Sequence, residues 1–96
     1  MAKELQVIVV GALGKMGRET VKAVKTSDNL VLAAAVDVKA GTAKVSDITG
    51  DENDRLPIWP DLEEALDAVR VDVAVDFTNP QAVYNNARTV LRRGIP

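Results

Sequence analysis

The sequence contains no cysteine and no histidine. The first absence excludes a disulfide framework, a thiolate metal centre and a cysteine nucleophile. The second removes the commonest general acid–base and the commonest metal ligand. Aromatics are scarce as well: Trp59, Phe77 and Tyr84 are the only three, so a core must be built mainly from Val, Ala and Leu. No long apolar run is present. The longest uncharged apolar run, Leu5 to Gly14, has ten residues, about half of what spans a bilayer. It lacks a signal-type cleavage site and ends in a glycine-spaced turn, so it reads as a strand in a chain expected to be cytoplasmic. Net charge is -2. With no basic excess, neither nucleic acid nor an anionic membrane is an expected partner.

What is present suits one globular domain. The chain has 96 residues, 47% of them hydrophobic and 27% charged, within the range of about 50–250 residues for a domain. Leu5–Val10 is a near-continuous β-branched run closed by Gly11, as expected of a strand buried on both faces. From Lys15 to Lys25 the spacing turns helical, with Gly17, Val21 and Val24 on one face and Arg18, Glu19, Lys22 and Lys25 on the other. Ser27-Asp28-Asn29 stops that helix. Leu30–Val36 is a second buried strand with Asp37 at its end. Strand, glycine turn, helix and strand make one βαβ unit.

From Val38 to Arg55 the pattern dissolves into Gly, Thr, Ser, Asp and Asn, and an irregular excursion is expected. Leu56–Trp59 fits a short edge strand, because Pro57 and Pro60 would spoil a central one. Asp61 reads as an N-cap, with an acid three residues on and a short helix burying Leu62, Leu66 and Val69. Val71–Phe77 is the next strand. Asn79-Pro80 opens a further helix with Val83, Ala87, Val90 and Leu91 on its apolar face, Arg92 and Arg93 near its end, and Gly94 as the stop. Ile95-Pro96 reads as the first step of another element.

The chemistry concentrates in three places. Gly11-Ala12-Leu13-Gly14-Lys15-Met16-Gly17 lies between a strand and a helix. Glycine there permits a tight turn and close backbone approach, and the helix start offers unpaired amide N–H groups to an anion such as a pyrophosphate. A plain glycine turn without a ligand fits the same residues, since the spacing is G-x-x-G-x-x-G. Asp37 follows Gly17 by twenty positions, where a dinucleotide fold places a carboxylate for the adenosine ribose hydroxyls. An exposed loop aspartate is the alternative. A carboxylate there repels a 2′-phosphate, while Lys15 and Lys39 stand close enough in the pattern to offset it, so the preference between NAD and NADP stays open. Phe77 and Thr78, at the end of a strand, would overhang the nicotinamide half of a cofactor, or else be a core aromatic and a helix cap.

Other constellations read plainly. Eight of the fourteen acids lie between Asp47 and Asp67, but Asp51-Glu52-Asn53-Asp54 lacks the glycine and the glutamate of a calcium loop. A solvated loop and helix face is expected and no metal site. Asp72 and Asp76 are expected to satisfy backbone amides or solvent rather than to form a catalytic pair.

Taken in order, GALGKMG, AAAVD, LPIWPDLEEAL, and VDFTNP followed by a helix ending in RGIP resemble the dihydrodipicolinate reductase family over essentially the whole chain. The resemblance implies a truncated Rossmann-type α/β fold, with a parallel sheet in the order 3-2-1-4 and helices on both faces. It implies an NADH- or NADPH-dependent reductase of the diaminopimelate route to lysine. Cofactor contacts carry over to Gly11, Ala12, Leu13, Gly14, Lys15 and Met16 for the phosphates, Asp37 for the ribose, and Phe77 and Thr78 near the nicotinamide. Asn79 departs from the basic residue or histidine common at that position. Residues 1–96 are then expected to be a cofactor-binding domain incomplete at its C-terminus, with no catalytic residue of its own. The histidine-bearing substrate domain and the sheet that builds the family's homotetramer would lie elsewhere, and the open edge of strand 71–77 is a candidate for self-association. Two alternatives stay open: the module of another dehydrogenase, and a stand-alone nucleotide sensor.

Overall fold

A computed structural model describes residues 4–95. The elements follow as β1 (Leu5–Val10), α1 (Lys15–Thr26), β2 (Leu30–Val36), α2 (Val45–Thr49), β3 (Ile58–Trp59), α3 (Leu62–Ala68), β4 (Val73–Asp76) and α4 (Pro80–Arg92). The strands form one sheet in the order β3-β2-β1-β4, all pairs parallel. The chain therefore leaves β1 to one side, through β2 and β3, and returns to the other side of β1 as β4. That reversal opens a crevice at the carboxyl ends of β1, β2 and β4.

The period of two in β1 builds two core layers. Val7 and Val9 face α1 and α2, packing with Val21, Val24, Val45 and Ile48. Ile8 and Val10 face α3 and α4, packing with Leu62, Ala65, Leu66 and Val90. Helices therefore cover both faces, as the uncharged strands require. β2 departs from strict alternation. Its pairing with β1 jumps from Val7↔Leu32 to Ile8↔Ala34, so Leu32 lies in one layer and Ala34 in the other. One extra residue on β2, a bulge, turns the strand between the faces. The run of alanines at 33–35 leaves room for it.

The segment expected to be irregular contains α2, one turn and a half of helix that buries Val45 and Ile48 beneath α1. Within the same segment Asp54 is only 7% exposed and accepts from Thr49 Oγ1 (2.7 Å) and Lys25 Nζ (2.5 Å). This corrects the expectation of a wholly solvated acidic face. The Lys25 ammonium and then the Thr49 hydroxyl hold the Asp54 carboxyl below its ordinary value of 3.8, against the opposing effect of burial.

β4 is shorter than the expected 71–77. Asp72 and Phe77 still bond to β1 through Gln6 O and Val10 O, but only Val73–Asp76 pair in register. α4 also differs from its expected face. Val90 is buried, Val83 and Ala87 are half-buried, and Leu91 is 65% exposed. Gly94 takes φ +75° after the cap at Arg93, the left-handed turn anticipated for a stop. Pro96 lies outside the described residues.

Candidate functional site

The first glycine of the turn is fixed by two requirements. Gly11 takes φ +80°, a region costly for side-chain-bearing residues, and a Cβ there would lie 3.1–3.2 Å from the backbone of Phe77 and Thr78. The end of β1 thus abuts the start of the β4–α4 turn. Gly17 meets a harder limit: its Cβ would stand 2.0 Å from Gly11 O. α1 can lie this close to the turn only because Gly17 has no side chain.

Hydrogen bonds sew the turn to β2. Gly11 N–H and Ala12 N–H both donate to Val36 O, at 2.8 and 3.0 Å. Leu13 N–H donates to Asp37 Oδ2 (2.9 Å), and Lys39 N–H donates to Asp37 Oδ1 (2.9 Å). Arg18 Nε closes the turn from the other side by donating to Leu13 O (2.9 Å). Gly14 is the N-cap of α1 and offers no side-chain acceptor. Among the described residues, the N–H groups of Lys15, Met16 and Gly17 donate to no protein acceptor. Lys15 and Met16 are exposed and Gly17 is buried, and all three amides lie at the positive end of the helix dipole.

These segments enclose a cleft of about 410 Å³ at the carboxyl edge of the sheet. Of the residues singled out in the sequence, Gly11, Leu13, Gly14, Asp37, Phe77 and Thr78 line it. The other three do not. Ala12 is fully buried beneath the turn, and Lys15 and Met16 are exposed on the first turn of α1. Lys39 lines the cleft beside Asp37, whereas Lys15 stands outside it. Sequence reasoning missed the walls contributed by Pro60 and Asp61 at the start of α3, and by Ala82 and Asn86 on α4. Asn86 carried a readable signal, two helical turns beyond the Asn79 cap. The N-caps of α3 and α4 also border the cleft: Asp61 accepts from Glu64 N–H (3.2 Å) and Asn79 from Ala82 N–H (2.9 Å).

The arrangement suits an elongated ligand with an anionic middle. Unpaired amides and a helix dipole await negative charge near Lys15–Gly17, a carboxylate at one end can accept from hydroxyls, and a half-exposed aromatic and a hydroxyl stand at the other end. Asp37 spends one bond on Leu13 and one on Lys39, and an ionised carboxylate has about four acceptor positions. It retains capacity for a ligand while also fastening the turn. Among the described residues no group of three or more Asp or Glu side chains is placed to hold a metal ion. No helix among them is long and apolar enough to cross a membrane.

Comparison with known proteins gives a consistent result. Residues 5–96 match the family described as dihydrodipicolinate reductase, N-terminus. A 4-hydroxy-tetrahydrodipicolinate reductase of Syntrophomonas wolfei is 50% identical over 95 residues, covering 99% of this chain and 36% of that protein. The like-named protein of Thermosynechococcus vestitus is 43% identical over 99 residues, with the same coverage. The chain thus spans about a third of the length of the curated relatives it matches. Among solved structures, a dipicolinate-bound dihydrodipicolinate reductase from Paenisporosarcina sp. superposes with a TM-score of 0.76 at 24% identity, covering 96% of this chain and 35% of that one. An aspartate semialdehyde dehydrogenase with NADP from Candida albicans gives 0.72 at 12% identity, covering 97% and 28%. Both likenesses speak to the fold.

Proposed function

The chain belongs to the dihydrodipicolinate reductase N-terminal family, and from that membership we propose that it binds NADH or NADPH for an oxidoreductase. The reaction is the reduction of 4-hydroxy-tetrahydrodipicolinate to tetrahydrodipicolinate, a cytoplasmic step of diaminopimelate and lysine biosynthesis. The observation that carries the reading is the convergence of the Gly11–Gly14 turn, Asp37 and Phe77–Thr78 on one cleft at the sheet's reversal point.

The residues present fit a dinucleotide. The pyrophosphate is held at the Gly11–Gly14 turn and by the free amides of Lys15 and Met16 that follow it, with the Lys15 ammonium adding charge. Leu13 N–H contributes less directly, since Asp37 already engages it. Asp37 accepts from the adenosine ribose, and Phe77 and Thr78 border the nicotinamide. The bound cofactor supplies the hydride; the chain supplies position and electrostatics. No residue of this chain is assigned as the catalytic acid. The Asp37 carboxylate disfavours a 2′-phosphate and Lys39 beside it favours one, so both cofactors are accommodated.

Calorimetric titration with NADH and NADPH tests the reading. Saturable binding of at least one is expected; no binding of either up to millimolar concentration would contradict it. A second proposal concerns β4, which pairs with β1 on one side only. Among the described residues no strand pairs with its outer edge, and two copies of the chain associate through it.

A further inference from the structure

Asp76 ends β4 but does not line the cleft; it faces the apolar groove under α4, beside Val83 and Ala87. Its carboxylate nevertheless governs two residues that do line the cleft. Oδ1 accepts from Thr78 N–H (2.8 Å) and from the Thr78 hydroxyl (2.5 Å), and Oδ2 accepts from Asn86 Nδ2 (2.9 Å). The three groups are half-buried and join the end of β4, the β4–α4 turn and the second turn of α4.

The chemistry of the carboxylate fixes the polarity of its partners. An ionised carboxyl group only accepts. Thr78 has one hydroxyl hydrogen and gives it to Asp76, so toward the cleft Oγ1 offers lone pairs alone. Asn86 can approach a carboxylate only with its amide nitrogen, which fixes the orientation of its amide and leaves Oδ1 for another donor. Without Asp76, the Thr78 hydroxyl would rotate freely and serve donors and acceptors alike.

We propose that Asp76 is a positioning residue that makes Thr78 a dedicated acceptor for an N–H donor on the ligand, the amide N–H2 of the nicotinamide carboxamide. This rests on the dinucleotide reading above and extends it to the recognition of one functional group. Asp76 acts from behind the wall, through Thr78 and Asn86, and touches no part of the ligand.

The test is calorimetric titration of the chain with ADP-ribose, NADH and reduced 3-acetylpyridine adenine dinucleotide, in which a methyl ketone replaces the carboxamide. The chain is expected to prefer NADH to the acetylpyridine analogue by about fivefold, the effect of one hydrogen bond. In Asp76→Ala that preference disappears and NADH binding weakens by a similar factor, while ADP-ribose binding stays within about twofold. The paired exchange Asp76→Asn with Asn86→Asp keeps an oxygen acceptor for Thr78 and a donor–carboxylate bond between the two positions, and it restores the preference. Asp76→Ala retaining the full preference, or losing ADP-ribose and NADH in parallel, would overturn the proposal. If Asp76→Ala does not fold, the paired exchange decides, because loss of the preference there overturns it equally. Failure of the unmodified chain to bind ADP-ribose or NADH would instead overturn the dinucleotide reading, and this proposal with it.

Discussion

Gly17→Ala is the substitution for which the structure gives the sharpest expectation. The new Cβ would lie 2.0 Å from Gly11 O and 2.8 Å from Ala12 Cα, against ordinary contact beginning at 3.4 Å. Both obstacles are backbone, so no side chain can rotate aside. α1 would have to lift by roughly 1.4 Å, the gap between those distances, yet Val21 and Val24 hold it in the core at 0% and 4% exposure. Overpacking of this kind costs about 1–3 kcal/mol, sometimes more. The gain in helix propensity from Gly to Ala offsets at most about 1 kcal/mol. The 2.0 Å overlap with backbone puts the cost at the upper end of that range, so a net loss of about 2 kcal/mol is expected, out of a total of about 5–14 kcal/mol for a chain this long. That corresponds to a fall in Tm of roughly 8–16 °C. Thermal and urea unfolding followed by circular dichroism measure it. Gly14→Ala is the internal comparison: its Cβ meets Gly11 O at an unremarkable 3.5 Å, and only a weak cap preference is lost, below about 1 kcal/mol. A Gly17→Ala protein melting within about 3 °C of the unmodified chain would show that α1 accommodates the Cβ without strain, since that is less than 1 kcal/mol of destabilisation.

Three further outcomes are expected. Asp37→Ala removes both the acceptor for Leu13 N–H and the proposed ribose contact, and should weaken NADH by roughly 10–100-fold. NADPH should suffer less, because repulsion of its 2′-phosphate is relieved; equal losses by calorimetry would remove Asp37 from the ribose site. The Asp54 carboxyl is held below 3.8 in the folded chain. Its contribution is therefore fully present above the unfolded value of 3.8 and is lost as pH falls through the lower folded value. Urea midpoints between pH 5 and pH 2 should fall for the unmodified chain and fall less steeply for Asp54→Asn; parallel curves would show that the Lys25–Asp54–Thr49 cluster does not contribute. Sedimentation velocity tests the β4 edge: a mass that rises with concentration, and returns to monomer on Val73→Lys, is expected, whereas a monomer at every concentration would contradict association through that edge.

The main frame was legible because periodicity and turn chemistry agree with the tertiary structure. The near-continuous apolar run at Leu5–Val10 and the unbroken one at Leu30–Val36 became the two central strands, and Gly17, Val21 and Val24 became the buried stripe of α1. The Asn79-Pro80 and Gly94 signals bounded α4 correctly. What escaped detection depends on contacts distant in sequence. α2 is five residues long, too short for a helical period to register, and it forms because α1 and the sheet cover Val45 and Ile48. Leu91 falls on the expected apolar face of α4, yet α4 packs on the sheet chiefly through Val90. The site shows the same division. Glycine spacing and the carboxylate after β2 pointed to the turn that lines the cleft. The bonds from Leu13 to Asp37 and from Asn86 to Asp76 span 24 and 10 positions, and neither follows a local pattern.

The Gly11–Gly17 turn, Asp37 and Phe77–Thr78 are proposed to form one nucleotide site. Amide chemical-shift mapping of the isotope-labelled chain during titration with NADH addresses it directly. Saturable shifts are expected to concentrate at Leu13–Gly17, Asp37–Lys39 and Phe77–Thr78, with α2 and the outer face of α1 unmoved. Shifts absent from those three segments, or spread evenly over the chain, would contradict it.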